Sequence, residues 1–544
     1  MLQPPRRRRP SPTTPPNDTR QRNADREAGR LPVKASGKGQ CYQRTQRVQR
    51  IPRRSSLLYN SPSCHINGPH AVAGLCQDTG VPLARQSFGG KVPFPALRLP
   101  ALLRKLWADP WSRWLLFIFL LAFALRLAWI AYADPDPGDG RVDDSLFYDF
   151  AAQMLAAGKG YIHFTGHPTA QWPPGYPLLL AAIYKLFGHS IILVKLLNAF
   201  AGATACILIY AIGAKVFSRS VGFLAAVILA VFPSQIYYST LMMTEALSPA
   251  LFAVLILLVL NWTIERENPS PLRLFLLGVL LGAAALMRAE IAVLLLAVLL
   301  VWKLMIPSWR EFARRAALLV MGMVLVITPW TIRNAISMHA FIPISSGAGH
   351  TLLAGHQKDP YNPQHFFPEV KYQREYADLP FPEQEIKVER EAMREGLEFM
   401  VSNPRYEFVL LFEKLYHLYK SDSDALTWIN IGPLMPSGER RAIIPHSATE
   451  KWSLLANGYY YPVMATAALG VLLWFSVRDK KRLLLVLFVV GWTLIHLAFM
   501  PDGRYHTSLI PIFCLWAAAT LVFVWERMIG RSAGRRGLTE DEDP

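Results

Sequence analysis

Ten stretches of about 18–25 predominantly apolar residues recur along this chain, beginning with "WLLFIFLLAFALRLAWIAY" at 114–132. A run of that length, at about 1.5 Å per residue, crosses the roughly 30 Å of hydrocarbon in a bilayer as a helix. Lipid offers no partners for backbone N–H and C=O groups, so a continuous apolar run can cross it only in helical form. The blocks lie at 112–132, 190–214, 220–238, 241–262, 272–288, 290–306, 314–332, 454–476, 482–500 and 506–527. They predict an all-α polytopic membrane protein with about ten transmembrane helices. The connections test that number, because short cytoplasmic loops carry excess Lys and Arg. Every second connection is basic: Arg104 and Lys105; Lys215 and Arg219; Arg266 and Arg273; Lys303, Arg310, Arg314 and Arg315; Arg478, Lys480, Lys481 and Arg482; then "ERMIGRSAGRR". Both termini are therefore expected in the cytoplasm, with two large outer loops, 133–189 and 334–453.

Charge has to be located before it is interpreted. The chain has 544 residues, 52% of them hydrophobic, and a net charge of +18, but residues 1–105 hold 20 Lys and Arg against 4 Asp and Glu. The basic character belongs to that Pro-, Arg- and Ser-rich segment, which lacks periodicity and is expected to be a disordered cytoplasmic tail. It reads either as a polybasic segment near anionic lipid or as an inert extension. Nothing calls for a nucleic-acid partner. Cys41, Cys64 and Cys76 lie in the tail, while Cys206 and Cys514 fall in apolar blocks, so no disulfide framework is implied. The remaining organisation is an N-terminal membrane module at 106–333 containing the first outer loop, the loop 334–453, C-terminal helices at 454–530 and a tail at 531–544.

Polar residues gather at the outer ends of the apolar blocks. In "VDDSLFYDF" at 142–150, Asp143 and Asp144 precede a helical pattern with Phe147, Phe150, Ala151, Met154 and Leu155 on one stripe. Asp144 is either a helix cap or a base. Glu245 in "LMMTEALSP", Arg288 and Glu290 in "LMRAEIA", Arg333 and Asn334 in "TPWTIRN", and Arg504 and Tyr505 in "PDGRYHTSLIP" fall on the same rim. A single arginine at a helix end can snorkel to headgroups. Several, beside several carboxylates, point to a shared anionic substrate. His163 and His167 flank the stiff loop "PTAQWPPGYP" and with Glu245 or an aspartate leave a divalent-metal site open beside ordinary loop histidines. Arg126 pairs within the bundle or snorkels outward, and the amphipathic stretch 403–422 predicts an interfacial helix in which Lys414 is a further donor-phosphate candidate.

The run "DSLFYDFAAQMLAAGKGY…PTAQWPPGYPLLLAAIYKLFG", followed by "MTEAL", "MRAE", "PWTIRN" and "RYHTSLIP", resembles the bacterial membrane glycosyltransferases of the C-type fold. Within them it is most similar to the branch containing protein O-mannosyltransferases and the aminoarabinose transferase that modifies lipid A. The resemblance covers about residues 112–530. It implies a multi-span inner-membrane enzyme that moves a sugar from a polyprenyl-phosphate donor to an acceptor at the outer, periplasmic face, with inversion at the anomeric carbon. It also implies no required cofactor, although some C-type transferases use a divalent metal. The family's catalytic Asp stands early in the first outer loop with a Tyr four residues later, which places the base on Asp144 with Tyr148; Ser145 stands where a second acid is common, and Asp143 lies on the other side.

Chemistry gives the same residues roles. A nucleophile needs a carboxylate to take its proton, which contributes about 10²–10⁴-fold, and a leaving lipid phosphate needs fixed cations, for which the guanidinium fork is suited. Asp144, Asp143 and Glu245 are the catalytic candidates; Arg288, Arg333, Arg504 and Tyr505 the donor-phosphate candidates; Tyr148, His167 and Gln171 the substrate-loop candidates. The acceptor, whether protein, lipid or envelope glycan, is not encoded in any motif. The rival is a ten-span secondary transporter of an anionic substrate, which predicts internal repeats and charges near mid-membrane; here no two-half similarity is visible and the charges sit on one rim.

Overall fold

The computed structural model describes residues 110–134, 144–361, 368–431 and 442–537, with side chains to 528. Asp143 and the N-terminal tail lie outside the described residues. Helices follow in the order α1 (Pro110–Tyr132), α2 (Asp144–Ala156), α3 (Gly175–Phe187), α4 (Ile191–Val216), α5 (Arg219–Ala230), α6 (Pro233–Tyr237), α7 (Ser248–Val259), α8 (Pro271–Met287), α9 (Ala292–Met305), α10 (Trp309–Met338), α11 (Ala348–Gly355), α12 (Val370–Glu375), α13 (Phe381–Ser402), α14 (Pro404–Tyr419), α15 (Asp424–Ile429), α16 (His446–Trp474), α17 (Lys480–Leu497) and α18 (Ile510–Gly537). Each apolar block read from the sequence overlaps at least one of these helices, but among the described residues fewer than the ten expected qualify as membrane spans by length and composition. Pro110–Tyr132, Ile191–Val216, Trp309–Met338 and the segment Gly503–Met528 are long and apolar enough to cross a membrane.

The third and fourth blocks differ from the uninterrupted spans expected. α5 stops at Ala230, and the chain resumes at Pro233 bent by 58°. Pro233 has no N–H to continue the ladder, and the preceding Phe232 is extended, as a residue before proline tends to be. Two short 3₁₀ turns, Tyr238–Thr240 and Thr244–Ala246, then lead to α7, which restarts at Ser248-Pro249. Irregular backbone at the end of a span is tolerated where protein buries it; Thr240, Met243 and Glu245 are all buried.

Packing between helices in lipid relies on close approach, because lipid tails are as apolar as leucine. α8 and α10 make the most intimate pair: a Cβ on Gly278 would stand 2.0 Å from the Leu319 carbonyl oxygen, and one on Gly322 would stand 2.2 Å from the Phe275 carbonyl oxygen. Gly278→Leu is expected to force the two backbones apart and destabilise the protein by about 1–3 kcal/mol, the usual cost of overpacking. Thermal unfolding of the purified protein checks this; an unchanged midpoint would mean the seam contributes little. Arg126 resolves inward: buried, it lies over Gly202 and donates to the Ala122 carbonyl at 2.9 Å.

The described parts of 133–189 and 334–453 close on one another. α2 packs on α3 within the first loop, and α11 on α13 within the second. Glu385 of α13 joins them, accepting from Thr169 Oγ1 at 2.7 Å, Ala170 N at 3.0 Å and Ser346 Oγ at 2.6 Å. One turn on, the carboxylate of Glu389 accepts from the Gly349 and His350 amides, and burial pushes its pKa up to about 7. α14 turns Phe408, Val409, Phe412 and Tyr416 outward and Leu410, Lys414 and Leu418 inward, the pattern of an interfacial helix.

Candidate active site

Asp144 begins α2, and its two carboxylate oxygens are engaged from different directions. Oδ1 accepts the Trp172 indole N–H at 3.3 Å, and Oδ2 accepts Arg504 Nη1 at 2.7 Å. The Phe147 ring stacks on Trp172 at 3.8 Å, so the helix and the proline-stiffened loop that carries Trp172 are fixed to each other. Arg504 follows Asp502, whose carboxylate caps the Gly503–Leu509 3₁₀ helix by accepting the Arg504 amide at 2.9 Å. Its guanidinium lies 4.6 Å from the Trp428 ring and 5.1 Å from the Tyr505 ring. Tyr505 OH accepts Arg504 Nη2 at 3.3 Å.

A second ion pair stands beside the first. Arg288 Nη1 lies 3.1 Å from Glu245 Oε1, and Nη2 lies 3.6 Å from Glu290. Thr244 Oγ1 accepts from Arg288 Nη1 at 3.3 Å and donates to Glu245 Oε2 at 3.2 Å. The same Glu245 Oε1 is 4.0 Å from Arg504 Nε, which links the pairs into one chain from Asp144 to Glu290. The irregular segment before α7 is what delivers Glu245: Gln235 donates to the Thr507 carbonyl at 3.0 Å, and Ser248 meets Ser508 at 2.8 Å. Tyr148 sits next to this chain, its ring edge-on to Tyr176 at 5.1 Å. Burial first, then the Asp144 and Glu245 carboxylates, hold its hydroxyl well above the usual phenol range, so it stays a donor at any ordinary pH.

Other residues read from the sequence lie elsewhere. Arg333 does not join Arg288 and Arg504; it donates to the Thr169 carbonyl at 2.7 Å, the Tyr161 carbonyl at 2.5 Å and Asn334 Oδ1 at 3.0 Å. These bonds tie it to the 133–189 loop, an arrangement the sequence could not distinguish from phosphate binding because both need Arg at a helix end. Arg333→Ala should therefore lower the thermal midpoint more than it raises the KM for a lipid-phosphate donor, and a selective KM effect would return Arg333 to the donor site. His163 and His167 stack on Phe381 at 4.6 and 6.2 Å. Among the described residues no group of three or more His, Cys, Asp or Glu is arranged to hold a metal ion. Gln171 donates its backbone N–H to Thr169 Oγ1 at 3.2 Å within the loop turn. Lys414 is taken by His356 Nε2 at 2.8 Å and the Leu497 carbonyl at 3.1 Å, and burial lowers its pKa to about 8.

Trp172, Trp428, Thr244 and Asp502 were not singled out by sequence reasoning. Trp172 stands in the loop noted for its prolines, its flanking histidines and Gln171, and Trp428, in "DALTWIN", carries no local signal at all.

This chain of paired arginines and carboxylates at the ends of apolar helices can bind an anion and offer a base next to it. Residues 171–332 match the family of dolichyl-phosphate-mannose-protein mannosyltransferases. That segment includes Glu245 and Arg288, while Asp144 and Arg504 lie on either side of it. No curated protein matched the chain in a sequence search. Among solved structures, the chain is similar to the archaeal oligosaccharyltransferase AglB from Archaeoglobus fulgidus in complex with an inhibitory peptide and a dolichol-phosphate, with TM-score 0.46 and 15% identity over 78% of this chain and 52% of that one. An Archaeoglobus fulgidus oligosaccharyltransferase in complex with Zn and sulfate gives TM-score 0.46 and 14% identity over 78% and 51%. ArnT from Cupriavidus metallidurans bound to undecaprenyl phosphate gives 0.38 and 12% over 75% and 78%. The chain spans about half the length of the archaeal enzyme.

Proposed function

We propose that the protein is an inverting glycosyltransferase that moves a sugar from a polyprenyl-phosphate-linked donor to an acceptor at the outer face of the membrane. The observation that carries this reading is the Asp144–Arg504 pair beside Glu245–Arg288, formed where apolar helices end. Asp144 takes the proton of an acceptor hydroxyl or amine as that atom attacks the anomeric carbon. The bond from that carbon to the phosphate oxygen breaks, and the polyprenyl phosphate leaves with the electron pair. Arg504 stabilises the charge that grows on the phosphate, and Arg288 keeps Glu245 in place beside it. Tyr505 and Tyr148 border the same space. The polyprenyl chain stays in lipid, which is why the cations stand at helix ends and not in a soluble domain. About ten membrane crossings with both termini inside are consistent with this placement, and so is a fold over that face by the 334–453 loop.

Two experiments test the reading. Mass spectrometry of envelope glycans, proteins and lipids with and without the gene should show one sugar missing from one acceptor class; an unchanged envelope would contradict it. For the face, cysteines at the exposed positions Ser402 and Arg478 should react with an impermeant reagent from outside and from inside respectively. The reverse pattern would overturn the orientation.

A further inference from the structure

We infer that Arg504 is a donor-operated latch on Asp144, which withholds the base until a lipid phosphate takes the arginine away. This rests on the reading of the donor as a polyprenyl-phosphate sugar. Two guanidiniums, Arg288 and Arg504, face three carboxylates, Asp144, Glu245 and Glu290, so every arginine charge in the chain is already matched. An anionic phosphodiester that enters here gains a cation only by displacing a carboxylate from it.

Burial decides which pair opens. The Arg288 and Glu245 side chains are each 5% exposed, and Arg288 is held further by Thr244. Arg504 and Asp144 are 15% and 26% exposed, so solvent and a membrane-borne phosphate reach that pair first. Breaking it costs little in position: Arg504 stays between Trp428 and Tyr505, with Nε still 4.0 Å from Glu245. Asp144 keeps the Trp172 indole on Oδ1, and Oδ2, vacated by Nη1, becomes the lone pair that receives the acceptor's proton. Without donor, the base is neutralised by its own partner; with donor, the same arginine moves to the leaving group and the base is released.

The test is a double-mutant cycle on lipid-phosphate affinity, with undecaprenyl phosphate titrated into the full chain in nanodiscs. Asp144→Asn should bind it about 3- to 10-fold more tightly than wild type, the range expected when a competing, partly solvated ion pair is removed. In the Arg504→Ala background the same substitution should change affinity less than about twofold. Equal or weaker binding by Asp144→Asn, or the same gain without Arg504, would overturn the latch. Asp144→Ser, also a good first residue for a helix, supplies the same comparison if the Asn variant is not recovered. Sugar transfer separates the two claims: transfer lost with affinity unaltered leaves the base assignment standing without the latch, whereas transfer retained by Asp144→Asn overturns the base assignment whatever the affinity.

Discussion

Asp144→Asn is expected to fold and insert like the wild type yet lose at least about 10²-fold in turnover, the lower end of what a general base supplies. Asn matches Asp in size and is as good a helix-starting residue. Its single amide oxygen can keep the Trp172 contact that Oδ1 makes, while the NH2 standing in for Oδ2 gives up the Arg504 ion pair. What it cannot do is take a proton. Steady-state kinetics with a polyprenyl-phosphate donor should show the loss in kcat, with the thermal midpoint close to wild type. A fully active variant would reduce Asp144 to a cap and an ion-pair partner, and parallel measurement of Asp143→Asn would show whether the base lies one residue back.

Arg288→Ala is expected to be the most damaging arginine substitution, and to act through the fold. It strands the buried Glu245 carboxylate, which loses its 3.1 Å partner in a site 5% exposed. Removing one member of a buried pair typically costs about 3–5 kcal/mol. Arg504→Ala differs, because Arg504 and Asp144 are partly solvated. There the expected loss is a charge-assisted contact to the donor, about 1.5–3 kcal/mol, or roughly 10–150-fold in kcat/KM. Thermal unfolding and donor kinetics on the two variants should separate in that sense: Arg288→Ala falls in both, Arg504→Ala mainly in kinetics. If both variants kept wild-type values, snorkelling would be the right account of these arginines.

Much of the helical layout was legible because apolar run length is a direct demand of the bilayer. Hydropathy read over long windows is blind to backbone breaks, however, so it reads the third and fourth blocks as straight. Pro233 and Pro249 were the available signals, and the segment they bracket is the one that carries Glu245 to Arg504. Within the site, Asp144, Glu245, Arg288 and Arg504 could be named because charges at helix ends are costly and therefore few, Tyr505 as the neighbour of Arg504, and Tyr148 only through the spacing that the resemblance implies. Their pairing could not, since Asp144 and Arg504 stand 360 residues apart. Arg333 looked identical to Arg504 by every sequence criterion; only the carbonyls of Tyr161 and Thr169 distinguish its role. His167 and Gln171 belong to the loop that presents Trp172, not to the ion-pair chain itself.

The central claim, that this chain of ion pairs is built for sugar transfer from a lipid phosphate, is tested most directly with a radiolabelled polyprenyl-phosphate sugar in membranes carrying the wild-type protein or Asp144→Asn. Wild-type membranes should move label from the lipid to an envelope acceptor with stoichiometric release of polyprenyl phosphate, and the Asn variant should leave the label on the lipid. Membranes in which the label stays on the lipid in both cases, while vesicles containing the protein exchange an anionic substrate by counterflow, would contradict the account and identify a transporter.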